Sequence, residues 1–453
     1  METQSRPPDI AFALVLFIFV VLMGATWFRH TDVGDAQLYQ VIARHMLMRG
    51  EWFSMEYLGQ PFFDHLPFGL WPIIAAQAVD ERLVIPLHAL FSVLTVGLVG
   101  VLGHRLSGPW AALASMFFLA TTQMYFFQTS YPTLDPVLLL LTTASVLPVL
   151  TGPGTARQWL LAWLFAAMAV AVKGPFGLLP LGGVLGARVL VDRSWRHLGL
   201  GAVVFVLAAA PVLLFLALRP DWREGYGVGQ LLASAVGNRS DGSAGLTVAA
   251  KFIGERFWPW FPLLFLGIAA TTGRITWLRN NVHASRIVAV ACGLMVLGLS
   301  LPHRKLWHHT LVVYPLLCVL LGVTLAPRIS TVFSKRRLII GLAAMATMSV
   351  LAVAGGVDRL LMARPCVLAT DFTQEVHRLK AGERVLVISE HPEWDMLSAL
   401  AFEFDVTPFR TSAWEEGSVA LVAEASWSSA PPQWRALQRA RGWVFAVNDS
   451  GQQ

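Results

Sequence analysis

Carboxylates, histidines and cations gather at a few points of a chain that is otherwise strongly apolar. The richest stretch runs from Gly34 to Leu70, where Asp35, Arg44, His45, Arg49, Glu51, Glu56, Asp64 and His65 stand among aromatic residues. Connecting segments of this length and charge are where binding and catalytic groups concentrate, so this is a candidate active-site loop. Asp35 opens a segment in which Leu38, Val41, Ile42 and Met46 recur at helical spacing. Gln37, Gln40, Arg44 and His45 occupy much of the other side. An amphipathic helix placed directly after a membrane span lies flat in the outer interface. Asp35 then fits two roles: the N-cap of that helix, or a base or metal-binding carboxylate at the membrane–water boundary. Pro61-Phe62-Phe63-Asp64-His65-Leu66-Pro67 sets an Asp–His pair in a rigid, aromatic-lined turn. That pair suits metal ligation or acid–base chemistry, and equally a plain surface turn.

Further along, Asp135 follows Tyr131-Pro132-Thr133-Leu134 at the start of an apolar run. Ionisable groups so near hydrocarbon are costly and face a bundle interior or an aqueous cavity. A helix cap aided by the macrodipole is the structural alternative. Lys173 precedes Gly174-Pro175 between two apolar runs, as a phosphate-binding cation or as an interfacial lysine reaching for water. Asn238-Arg239 lies in the connector 219–256, and Arg304-Lys305 with His308-His309 precedes another apolar run. A cationic edge of this kind suits a lipid phosphate, or ordinary headgroup contact.

The elements that must position these groups are membrane helices. Hydrophobic residues make up 55% of the chain and charged ones 14%, too apolar for a soluble globular protein. About eleven apolar runs approach the length of a span: 10–28, 83–103, 109–127, 133–150, 158–172, 174–191, 197–218, 257–273, 287–301, 306–326 and 338–357. The sixth follows the fifth after Lys173-Gly174-Pro175, which makes either a tight interhelical turn or one kinked or re-entrant segment. The first run has no small-residue cleavage site after it and reads as a retained span. With the N-terminus cytoplasmic, alternate connectors carry the basic residues with Asp192 as their only acid. That asymmetry is the positive-inside pattern. The same topology puts Asp35, Asp64, Asp135, Lys173, Arg239 and Lys305 at the outer face, where they would line an outward-facing cavity.

The expected organisation is a transmembrane domain over 1–357, with residues 29–82 as its first outer loop, and a soluble outer domain over 358–453. The latter alternates strand-like pieces (384–389, 419–422, 442–447) with a helix-like stretch near 393–404, a small α/β pattern. Cys292, Cys318 and Cys366 show no paired spacing, so neither a disulfide framework nor a zinc site is indicated. No basic patch with interleaved aromatics points to nucleic acid.

The ordered residues also carry a resemblance. Asp35-Ala36-Gln37-Leu38-Tyr39, Ile42-Ala43, Met46-Leu47, Gly50 and Trp52 follow a D-E-x-x-Y-x-x-I-A-x-x-M-L-x-x-G-x-W pattern. Gly59 to Pro67 follows G-x-P-x-F-E-K-P-P, Leu134-Asp135-Pro136-Val137-Leu138 follows L-D-x-x-L, and Lys173-Gly174-Pro175-Phe176-Gly177 with Pro180 follows K-G-P-x-G-x-x-x-P. Lys305-Leu306, His309 and Tyr314-Pro315 follow a last pattern, K-L-x-x-Y-x-x-P-x-Y-P. In this order the chain resembles the polyprenyl-phosphate-sugar glycosyltransferases of the C-type membrane fold, which include lipid A aminoarabinose transferases and protein O-mannosyltransferases.

The resemblance implies a polytopic all-α fold with a small outer α/β domain, in the inner membrane of a bacterium. It implies transfer of a sugar from a polyprenyl phosphate such as an undecaprenyl carrier to an envelope lipid, glycan or protein. By the same resemblance Asp35 and Asp135 are the catalytic carboxylates. Lys173, Arg239, Arg304 and Lys305 bind the carrier phosphate, while Tyr39, Asp64, His65, His308, His309 and Tyr314 line the substrate site, and a divalent metal is a possible cofactor. Two departures stand out: Leu38 replaces an arginine of the aminoarabinose enzymes, and Asp64-His65-Leu66-Pro67 replaces Glu-Lys-Pro-Pro. The competing class is a transporter or flippase of a lipid-linked substrate, which expects ionisable groups near the bilayer midplane.

Overall fold

Every apolar run named above carries a helix. The computed structural model describes residues 9–24, 34–57, 60–152, 154–193, 195–225, 246–272, 282–300, 307–332, 335–354, 384–388, 407–411, 419–423, 430–440 and 443–448. The contacts divide the chain into two units.

The first unit comprises residues 1–28, 63–69 and 83–358. It contains α1 (Asp9–Gly24), α4 (Val84–Ser107), α5 (Pro109–Ala120), α6 (Gln123–Thr129), α7 (Asp135–Thr151), α8 (Ala156–Lys173) and α9 (Leu179–Asp192). It continues with α10 (Trp195–Leu218), α11 (Pro220–Gly225), α12 (Leu246–Arg256), α13 (Phe261–Ala270), α14 (Val282–Ser300), α15 (Tyr314–Val332) and α16 (Lys335–Ala354). Helix α15 lies at its centre, with Tyr314 to Val323 all buried, and packs on α5, α4 and α14. Small residues permit that closeness, as they do between membrane helices generally. A Cβ added to Gly322 would stand 2.0 Å from the Ser115 hydroxyl and 2.8 Å from the Ala111 carbonyl oxygen. Helix α10, by contrast, exposes Leu213, Leu214 and Leu218, the outward apolar surface expected of a helix facing lipid.

Five stretches are long and apolar enough to cross a membrane: Glu81–Ser107, Ala156–Asp192, His197–Leu218, Val282–Ser300 and His308–Val332. A sixth arises if α5 and α6, bent by 65°, form one broken span. The other runs are helical but do not meet both criteria among the described residues. The stretch Ala156–Asp192 holds two of the apolar runs, interrupted by a 3-10 turn. Lys173 ends α8, Gly174 takes φ 58°, and Gly174–Leu178 forms a 3-10 turn. A Cβ on Gly177 would fall 2.4 Å from the Ala169 backbone carbon, so the turn folds back onto α8.

The second unit comprises residues 29–62, 70–82 and 359–453. Its first part holds α2 (Gly34–Arg49), the short hairpin of β1 (Glu56–Tyr57) and β2 (Gln60–Pro61), and α3 (Trp71–Val79). Ion pairs Arg44–Glu81 and Arg49–Glu56 tie this part together, and the Arg49 guanidinium holds the Glu56 carboxyl below its ordinary range. Helix α2 forms where its apolar period required, but its polar positions are not all on the outside. Gln37 and Gln40 are buried alongside Tyr39, Val41, Ile42 and Met46. The Gln40 side-chain amide donates to the Ala36 carbonyl at 3.0 Å, and the Gln40 backbone carbonyl accepts from the Gln77 side-chain amide at 3.1 Å. Backbone and side-chain partners make that burial tolerable.

Residues 384–448 form a five-stranded sheet in the order β4 (Thr407–Thr411), β3 (Arg384–Ile388), β5 (Val419–Ala423), β7 (Trp443–Asn448), β6 (Trp434–Ala440). The pairs β3–β4 and β3–β5 are parallel, and β5–β7 and β6–β7 antiparallel. The three strand-like stretches in the sequence are thus strands, and β4 and β6 join them. The helix-like stretch near 393–404 lies outside the described residues.

Candidate active site

Helices α7 and α8 are consecutive and pack on each other, so the N-terminus of one lies beside the C-terminus of the other. The macrodipoles favour an anion at the first position and a cation at the second. The sequence places Asp135 as the first residue of α7 and Lys173 as the last of α8. They meet as an ion pair, Lys173 Nζ donating to Asp135 Oδ1 at 2.6 Å, with both side chains more than nine-tenths buried. The N-cap position of α7 is Leu134, and the hydrogen bonds of Asp135 run to Lys173 and Gln128, so pairing accounts for it. Lys173 likewise does not extend to water.

The second oxygen of Asp135 is also taken. Gln128 Nε2, from α6, donates to Oδ2 at 2.8 Å, and Gln128 is itself buried. Buried charge is tolerated when its lone pairs are met in this way.

Two histidines, His308 and His309, stand near the pair, and His65 near His309. His308 is within electrostatic range of Asp135, and His309 within range of Lys173, Asp135, His308 and His65. His309 packs on Phe176 of the 3-10 turn, ring centroids 4.5 Å apart, and on His308 at 4.7 Å. His65 comes from the segment 63–69, which aromatic contacts fix at both ends. Phe63 meets Trp222 at 5.0 Å and Phe68 meets Phe215 at 5.1 Å. A Cβ on Gly69 would stand 2.9 Å from Leu134 Cδ2 and 3.0 Å from the Val172 carbonyl oxygen. These are the neighbours of Asp135 and Lys173, so only glycine lets the segment seat there. Gly69→Val is expected to cost about 1–3 kcal/mol of stability; thermal unfolding of that variant at the wild-type temperature would show that the seating is unimportant.

The remaining sequence candidates distribute as follows. Asp35 is exposed and is the second residue of α2, inside the first turn and not its N-cap. Tyr39 is buried in α2, and Asp64 is exposed. Tyr314 is fully buried with its ring 5.1 Å from Phe257, a core position. Arg239, Arg304 and Lys305 lie outside the described residues. Among the described residues no three His, Cys, Asp or Glu side chains are grouped to hold a metal ion. Gln128 is the residue that sequence reasoning missed. Its only signal was a polar side chain seven positions before Asp135 in an apolar region.

Residues 12–220 match the family described as dolichyl-phosphate-mannose-protein mannosyltransferase. The chain superimposes on the crystal structure of ArnT from Cupriavidus metallidurans bound to undecaprenyl phosphate with a TM-score of 0.72. That match covers 96% of this chain and 97% of the other, at 18% identity. The chain is thus similar to the C-type polyprenyl-phosphate-sugar glycosyltransferases, in sequence over residues 12–220 and in fold over nearly its whole length. It is 27% identical over 281 residues to an undecaprenyl phosphate-alpha-4-amino-4-deoxy-L-arabinose arabinosyl transferase of Edwardsiella ictaluri, covering 58% of this chain. It is 32% identical over 204 residues to the protein of that description from Pseudomonas aeruginosa, covering 42% of this chain. The matched regions span 48% and 37% of those two relatives' own lengths.

Proposed function

We propose that this chain moves a hexose or pentose from a polyprenyl-phosphate carrier to a hydroxyl or phosphate acceptor on an envelope lipid, glycan or protein. The reaction occurs at the outer face of a bacterial inner membrane, with the N-terminus cytoplasmic and residues 358–453 periplasmic. The observation that carries this reading is the buried Asp135–Lys173 pair, with His308 and His309 near it, in a fold shared with a protein bound to undecaprenyl phosphate.

In the reaction, the acceptor oxygen attacks the anomeric carbon and the bond from that carbon to the carrier phosphate breaks. The electron pair departs on the phosphate, and the acceptor proton passes to a carboxylate, to which we assign Asp35. Negative charge builds on the leaving phosphate, and preorganised cations stabilise it better than water does. Lys173 supplies one such cation, and Arg239, Arg304 and Lys305 supply others. Asp135 holds the Lys173 ammonium where the phosphate is to sit. Asp64 and His65 stand where this chain departs from the aminoarabinose enzymes, so the choice of sugar and acceptor is assigned to that segment.

The test uses envelope fractions from strains with and without the gene, followed by purified protein in liposomes with lipid-linked sugar. Mass spectrometry is expected to find one envelope component heavier by a single sugar, with free polyprenyl phosphate released in equal amount. Translocation of intact lipid-linked sugar without its cleavage would instead establish transport.

A further inference from the structure

The Asp135 carboxylate is held on both oxygens, and its second holder comes from the broken half of a span. Helices α5 and α6 bend by 65° at Thr121–Thr122. The break is stitched from outside the two helices: Trp260 Nε1 donates to the Thr121 hydroxyl at 3.1 Å, and the Gln123 amide to the Trp258 carbonyl at 3.1 Å. The Thr122 hydroxyl donates to the Phe118 carbonyl at 2.7 Å, meeting an acceptor next to the interruption. Straight continuation of α5 would carry Gln128 in another direction. The bend delivers it to α7, where its amide meets Asp135 Oδ2.

A carboxylate paired only to Lys173 could turn about its Cβ–Cγ bond and draw the ammonium with it. A second donor on the other oxygen removes that freedom, and so fixes where the Lys173 ammonium points. We propose that Gln128 is a positioning residue: the bent α5–α6 arm places its amide on Asp135, which in turn aims Lys173 at the departing phosphate. This rests on the reading of Asp135 and Lys173 given above.

Gln128→Met keeps the side-chain volume and removes the donor, while Gln128→Glu keeps the shape and sets a second carboxyl against the first. Both are measured in liposomes for kcat, donor KM and the pH profile of kcat, beside Asp135→Asn and the Asp135→Asn/Gln128→Met double variant. Gln128→Met is expected to lower kcat about 10- to 100-fold, the worth of a hydrogen bond to a charged group, with donor KM changed less than about threefold and the pH profile displaced. Gln128→Glu is expected to lose activity at neutral pH and recover part of it in acid, where a shared proton restores the hydrogen bond. The double variant is expected to be no worse than Asp135→Asn alone. A Gln128→Met protein that elutes as a monodisperse peak and keeps wild-type kcat and pH profile, beside an inactive Asp135→Asn, would overturn the role of Gln128 alone. Full activity in Asp135→Asn would overturn the reading of Asp135 and this proposal with it.

Discussion

Lys173→Ala is expected to abolish transfer and to destabilise the helical unit by about 3–5 kcal/mol, the cost of leaving one partner of a buried ion pair uncompensated. Asp135 would then keep only the Gln128 amide, with no cation to balance a carboxylate that is almost wholly buried. The comparison variant is Asp135→Leu/Lys173→Met, which replaces both charges with apolar groups of similar size. Such replacements are often neutral for stability, so the double variant is expected to regain most of the lost thermal stability and none of the activity. Thermal unfolding of the solubilised protein and sugar release in liposomes provide the two measurements. If the double variant were as unstable as the single one, the pair would not be the cause. If Lys173→Ala kept both stability and turnover, the site would lie elsewhere.

Asp35→Ala is expected to give the opposite separation of activity from stability. Asp35 is exposed in the first turn of α2, where removing a carboxylate costs little, within about 0.5 kcal/mol. As the assigned base it carries a general-base contribution of about 10²–10⁴ in rate. The expected result is therefore a protein that inserts and unfolds like the wild type, binds the lipid-linked donor, and transfers at most ~1% of normal. Donor binding separates loss of the base from loss of the site. Wild-type transfer by Asp35→Ala would remove Asp35 from the chemistry and leave the Asp135–Lys173 pair untouched. The two carboxylates thus have distinct signatures: activity alone for Asp35, activity and stability together for Asp135.

Part of the site was open to sequence reasoning because its chemistry is local. A carboxylate opening an apolar run and a lysine closing another mark helix ends, and helix ends are where charge is favoured. Asp135 and Lys173 were read that way, and both are where helices begin and end. Their pairing was not legible, because 38 residues separate them and no period spans that distance. The competing readings of each, as a cap and as a lysine reaching for water, were plausible until packing of α7 on α8 put the two ends side by side. Gln128 was missed for a related reason. A single glutamine in an apolar region carries little signature until the bend after α5 aims it.

The same division holds in the sheet. Val385 to Ile388, Val419 to Val422 and Trp443 to Val447 announce themselves by β-branched and apolar runs. Strand β6 reads Trp-Arg-Ala-Leu-Gln-Arg-Ala, residues with good helix propensity. It is a strand because β7 offers it a ladder, broken by one irregularity between Ala436 and Gln438; context outweighs propensity at a sheet edge.

By itself, then, the sequence determined that this chain is a bundle of apolar helices with charged groups at chosen helix ends and a small sheet near its C-terminus. Those properties depend on residue type and period, which act over a few residues. Only the tertiary structure decided that Asp135 is held by Lys173 and Gln128, that His308 and His309 stand near them, and that Tyr314 is core. Those facts depend on which helix ends and loops meet across long stretches of chain, and small residues such as Gly69 and Gly322 permit such meetings without announcing them.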